Sequence, residues 1–237
     1  PAPLPAASHR ARVLAGAQAP WGAGRGPLKL NALWWRGIHD TESRALLAWA
    51  LDLGYGLRFI EQMRLDADHG WTRRNMITAA EIRSLLSRDF VLSPDPRARD
   101  GAPAERFEVR RRVAGSAGPA GPARGAEAAV LEAVEPAPEA EGAVLGTVGI
   151  IASVTEPFCA DCRRTRITAE GKIMSCLFSR EEFDLLGLLR EGASDEALAE
   201  RWQDAMWVKP KAHGMDHTGL GAPDFVQPDR SMSAIGG

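Results

Sequence analysis

The pattern of apolar and polar positions along this chain changes character near residue 90. Before that point, short apolar runs alternate with stretches of helical spacing. "PLKLNALWW" (27–35) reads as a buried strand. "DTESRALLAWALDLG" (40–54) predicts a helix with Asp40 as N-cap, Leu46, Leu47, Ala50 and Leu51 as its apolar face, and Gly54 as its stop. "GLRFIEQM" (56–63) predicts a second strand. In "TAAEIRSLLSRD", Thr78 and Glu81 predict a capping box, with Ile82, Leu85 and Leu86 at helical spacing behind it. Strand–helix–strand–helix predicts parallel pairing and an α/β fold.

Beyond residue 90 the rhythm becomes α+β and more antiparallel. "RFEVRRRV" (106–113) and "GTVGIIASV" (146–154) predict strands. Residues 114–142 between them are Ala, Gly, Pro and Glu with almost no large apolar side chain. Such a segment buries too little surface to offset its ordering entropy, which predicts a disordered insert. Two helices are expected after residue 178. Ser179 and Glu182 box the first, and Ser194 opens the second, whose stripe is Leu198, Trp202, Ala205 and Met206. The expected division is therefore 1–90 and 91–237.

Charge narrows the function classes. Lys and Arg total 29, Asp and Glu 31, and the net charge is -2, so no global basic field points to nucleic acid or an anionic membrane. The most apolar stretch, Ala143 to Val154, is too short to span a bilayer, and the N-terminus has no signal-peptide pattern. A cytoplasmic protein is expected. The chain starts at Pro1 without an initiating Met, which suggests a piece of something longer.

All three cysteines stand in one window, Cys159, Cys162 and Cys176, spaced C-x2-C-x13-C. An odd count with a C-x-x-C pair suits a thiolate ligand set better than a disulfide framework. Ala169-Glu170-Gly171 predicts the tip of a β-hairpin that returns Cys176 towards the C-x-x-C turn. Zinc would need a fourth ligand, for which His213 is the candidate in sequence. An iron–sulfur cube held by three cysteines leaves one iron open to substrate. Spacing alone leaves both open, with buried unliganded thiols as a weaker third reading.

The charges around the window favour an anion site. Alternation on the strand leaving Cys162 puts Arg164 and Arg166 on the same side as that cysteine. Two guanidiniums beside an open metal site suit a phosphate or carboxylate. Lys29 is the only Lys before residue 172 and lies within an apolar strand, sharing a face with Asn31. Arg58 is a similar charge in the second strand. Charges there need a partner or a polar cavity, so both are expected to face a bound anion.

"KLNALWWRGIHDTE", "LRFIEQM", "FCADCRRTRITAEGKIMSCLF" and the closing "MSAIGG", in that order, resemble the molybdenum cofactor biosynthesis protein A family. These are GTP 3′,8-cyclases among the radical S-adenosylmethionine enzymes, and the resemblance runs from about Val13 to Gly237 apart from the insert. It implies a partial (β/α) radical-SAM-type barrel segment over 1–90, followed by an α+β C-terminal GTP-binding iron–sulfur region over 91–237. The implied activity is that of a lyase in molybdopterin biosynthesis, turning GTP into (8S)-3′,8-cyclo-7,8-dihydroguanosine 5′-triphosphate. Cys159, Cys162 and Cys176 then resemble the ligands of a [4Fe–4S] cluster on the GTP side. Lys29, Arg58, Arg164 and Arg166 resemble GTP contacts, and Met63 a position lining the S-adenosylmethionine site. Gly236 and Gly237 resemble a terminal pair that reaches the active site.

The family builds a second [4Fe–4S] cluster, for S-adenosylmethionine, from a C-x3-C-x2-C motif, and this sequence contains none. The chain alone is therefore expected to be inactive. Further implications are a homodimer and cyclic pyranopterin synthase as the downstream enzyme. The competing expectations are a non-catalytic zinc- or cluster-binding remnant module, and a related radical enzyme with an auxiliary cluster and another substrate.

Overall fold

Strand β1 (Lys29–Trp34) forms because its even positions are apolar: Leu30, Ala32 and Trp34 turn towards the core while Lys29, Asn31 and Leu33 remain exposed. The computed structural model describes residues 15–16, 28–39, 41–65, 70–112, 142–159, 162–209, 230 and 235. Helix α1 (Ser43–Asp52) then crosses over to β2 (Gly56–Glu61), and α2 (Ala79–Leu86) follows. β1 and β2 are parallel, with Lys29 opposite Gly56 and Asn31 opposite Arg58, as the alternating pattern predicts.

Next come β3 (Phe90–Pro94), β4 (Glu105–Arg111) and β5 (Gly146–Ile151). They join the same sheet, whose order is β1-β2-β5-β4-β3. β5 is parallel to β2 and antiparallel to β4, so one mixed sheet spans segments on either side of residue 90. A second, three-stranded antiparallel sheet holds β6 (Arg166–Ile167), β7 (Lys172–Met174) and β8 (Phe183–Asp184). Helices α3 (Leu186–Arg190) and α4 (Asp195–Trp207) complete the described elements.

Helices α1 and α2 cover one face of the larger sheet. Leu47 and Ala50 of α1 and Ile82 and Leu86 of α2 pack on Trp34, Leu57, Phe59, Val148 and Ile150. Trp34 and Phe59 meet edge to face at 4.9 Å between ring centroids. The opposite face, carrying Asn31, Arg58 and Ile60, receives no helix from this core and is where cavities form.

Glu61 fastens the end of β2. Its carboxylate accepts from the backbone N–H of Ala79 at 2.6 Å and from those of Val154 and Thr155 at 2.9 Å. The Thr155 hydroxyl donates to it as well. This fully buried acid thus joins β2 to the start of α2 and to the segment after β5.

Several sequence expectations are corrected. The residue before α1 is Glu42, whose side chain makes no capping bond, while Asp40 lies outside the described residues. β3 has no counterpart among the strands that the sequence pattern predicts. β5 ends at Ile151 rather than Val154, because the chain turns there to reach Glu61. Ser179 and Glu182 make no capping box: Ser179 bonds Glu181, while Glu182 pairs with Arg230 and Lys172, and the next element is β8. Of the insert expected over 114–142, only Gly142 is among the described residues.

The capping box at α2 is present as expected. Glu81 N–H donates to Thr78 Oγ1 at 3.2 Å and Thr78 N–H to Glu81 Oε2 at 2.9 Å. Arg36 also reaches Glu81, at 2.6 Å. Burial pushes the Glu81 carboxyl up, but the Thr78 and Arg36 bonds outweigh it and hold the group below its ordinary value. A depressed carboxyl contributes stability above its unfolded value and loses it as pH falls through the folded one. Glu81→Gln should therefore cost about 1 kcal/mol at neutral pH, with the difference vanishing in acid. Urea melts of both proteins at several pH values check this.

Candidate functional site

A cavity of about 290 Å³ opens on the uncovered face of the larger sheet. Asn31, Arg58, Ile60 and Met63 reach it from β1, β2 and the residues after β2. Cys159, Cys162 and Cys176 line it from the other side, together with Arg164, Arg166 and Lys209. Side chains far apart in sequence, including all three cysteines, thus meet in one place.

Local geometry brings the cysteines there. Cys162 N–H donates to Cys159 O at 3.1 Å, closing the C-x-x-C turn. The chain leaves along β6, reverses at Thr168–Gly171 and returns along β7, with Ile167 opposite Ile173. Gly171 has φ 75°, and a Cβ there would lie 2.3 Å from Leu186 Cβ, so this turn requires glycine. Cys176 follows β7 and its sulfur accepts from Phe178 N–H at 3.5 Å. All three cysteines are half-buried, and none is in a disulfide.

Positive groups crowd the sulfurs. Arg164 Nε lies 3.4 Å and Lys209 Nζ 3.8 Å from Cys162 Sγ. Lys209 also donates to the Arg164 carbonyl. The Phe158 ring is flanked by two guanidiniums, Arg164 at 4.8 Å and Arg99 at 5.1 Å. Burial pushes the Cys162 thiol up, but the Arg164 backbone and guanidinium and the Lys209 charge outweigh it and hold it below its ordinary value. Burial pushes the Cys176 thiol up, assisted by Cys162. Burial and the neighbouring Arg164 charge lower Arg166, so charge in this cavity favours an incoming anion.

A second cavity of about 410 Å³ has Lys29, Arg58, Arg97 and Arg106 among its lining residues. Arg58 lines both spaces and passes beside Gly149, where a Cβ would stand 3.0 Å from Arg58 Cγ. A larger residue there would push the arginine aside. Of the residues singled out in sequence, Arg58, Met63, Arg164, Arg166 and the three cysteines converge on the first cavity, and Lys29 stands in the second. Gly236, Gly237 and His213 lie outside the described residues. The adjacent Ile235 is buried, and its carbonyl accepts from Arg166 at 3.2 Å.

Lys209, Phe158 and Glu61 were not singled out. The rarity of Lys that drew attention to Lys29 applied equally to Lys209. Among the described residues, no group of three or more His, Cys, Asp or Glu side chains is gathered so that it could hold a metal ion. No helix among them is long and apolar enough to cross a membrane.

The donor chemistry suits a thiolate-ligated group, since three thiols share one cavity wall with arginines and a lysine.

The family described as Molybdenum Cofactor Synthesis C matches residues 129–215. A GTP 3′,8-cyclase of Paenarthrobacter nicotinovorans is 74% identical over 95% of this chain and 58% of its own length. Those of Mycolicibacterium smegmatis and Streptomyces coelicolor are 46% and 44% identical over 95% of this chain, and 53% and 55% of theirs. The chain thus spans little more than half the length of these relatives. Over that span, the chain is similar to GTP 3′,8-cyclases, and over residues 129–215 to the Molybdenum Cofactor Synthesis C family.

Proposed function

We propose that this chain forms the GTP-binding, iron–sulfur part of a GTP 3′,8-cyclase acting in molybdenum cofactor biosynthesis. The observation that carries the reading is the convergence of Cys159, Cys162 and Cys176 with Arg164 and Arg166 on one cavity. The three cysteines would hold a [4Fe–4S] cluster, which when bound supplies an iron open to the guanine of GTP. The reaction belongs to the intact protein, with a second cluster and S-adenosylmethionine, and Met63 faces the latter. Residues 1–90 contribute a segment of a (β/α) barrel and 91–237 the GTP-side region. Gly236 and Gly237, which follow Ile235 in sequence, are the catalytic pair of this reading. The setting is cytoplasmic, the assembly a homodimer, and the product passes to cyclic pyranopterin synthase.

The chain's own residues bind and orient the nucleotide. Arg164 and Arg166 sit beside the thiols, where a base held at the cysteines would bring its ribose and phosphates within their reach. Arg58 lines both cavities, and Lys29 lies further along the same face. An elongated substrate with its phosphates towards Lys29 would pair its negative charge with the cations along that face. The apolar walls, Ile60, Ile151 and Phe158, exclude water from the reacting end.

Arg164→Ala or Arg166→Ala should each weaken GTP binding by about 1.5–3 kcal/mol, and Lys29→Ala should act in the same direction. Calorimetric titration of the chain, loaded with iron and sulfide without oxygen, measures this. Unchanged affinity in all three variants would refute the nucleotide reading.

A further inference from the structure

The end of α4 carries a cation into the cavity that nothing assigned so far accounts for. Ser194 caps that helix, its Oγ accepting from Ala197 N–H at 3.3 Å, and Ala205 is buried where the helix meets the smaller sheet. The last turn closes when Lys209 N–H donates to Met206 O at 3.1 Å. The backbone of Lys209 is therefore held, while neighbouring Trp207 is 91% exposed. Its side chain turns inward, donates to the Arg164 carbonyl, and leaves Nζ 3.8 Å from Cys162 Sγ.

Placing a third positive charge beside Arg164 and Arg166 is unfavourable by itself, because like charges repel strongly where water is scarce. The arrangement becomes favourable when the sulfurs carry negative charge. An ammonium close to a ligating sulfur stabilises the form of an iron–sulfur site that holds one more electron. We propose that Lys209 is a positioning and charge-balancing residue of the cysteine cavity, which fixes the Cys162–Arg164 segment and raises the reduction potential of the cluster bound there. The proposal rests on the cluster reading above.

The test loads the chain anaerobically with ferrous iron and sulfide. Iron and sulfide are counted, and the cluster is titrated with dithionite while absorbance and electron paramagnetic resonance are followed. The reduction adds one electron from dithionite to the cluster and breaks no bond. K209M and K209Q should load as wild type and show a midpoint shifted to more negative potential, while K209R stays nearer wild type. K172M is the control, since Lys172 pairs with Glu182 on the hairpin and does not line the cavity; its midpoint should not move.

Equal midpoints for wild type, K209M and K209Q would overturn the proposal. If the neutral variants fail to load but K209R loads, a charge at 209 is a requirement of the site, which supports it. If K209R fails with them, the position acts through packing alone and the proposal falls. Failure of wild type itself to bind sulfide would instead refute the cluster reading, a distinct result.

Discussion

Glu61→Ala should destabilise the chain by about 3–5 kcal/mol. The carboxylate accepts from three backbone N–H groups and a hydroxyl, all drawn from other segments. Removing it leaves the buried Ala79 N–H and the half-buried Val154 N–H without their acceptor, and each such loss costs about 1–3 kcal/mol. The damage should also spread to the site. Val154 and Thr155 are held by Glu61, and Ser153 just before them lines the cysteine cavity. Urea unfolding measures the stability change. A shift below about 1 kcal/mol would show that the donors find other partners.

Cys176→Ser should abolish retention of iron and sulfide, with Cys159→Ser and Cys162→Ser acting alike. All three thiols line one cavity, so the loss of any one would leave two of the three proposed ligands. Wild type should melt at higher temperature once loaded, because a ligand that binds the folded state stabilises it. The serine variants should gain nothing from the same treatment. Tight zinc binding without sulfide in wild type would select the zinc module instead.

What the sequence exposed was mostly what neighbours in the chain decide. Apolar periodicity marks α1 through Leu47 and Ala50, and the Thr78–Glu81 box marks the start of α2. Cys162, Arg164 and Arg166 do share one cavity, although the strand expected from Cys162 begins only at Arg166. The hidden features depend on partners distant in sequence. Ser179 and Glu182 have capping-box spacing, yet Glu182 is drawn to Arg230 and Lys172 instead. Glu61 reads as one more polar strand position until Val154 and Thr155, more than ninety residues later, turn their amides onto it. Lys209 is isolated in sequence and meets Cys162 only because α4 packs against the small sheet. The place of β5 between β2 and β4 follows from no local pattern either.

That central strand has a consequence for synthesis of the chain. β2 pairs Leu57 with Val148, so its second edge stays open until β5 has emerged. At ribosomal rates, the intervening ninety-odd residues take about 5–20 s to appear. Throughout that interval the nascent chain presents an unsatisfied row of peptide groups flanked by Leu57 and Phe59, the kind of edge that recruits another chain or a holdase. Glu61 waits equally long for Val154 and Thr155, so the lock on the sheet closes among the last events of folding.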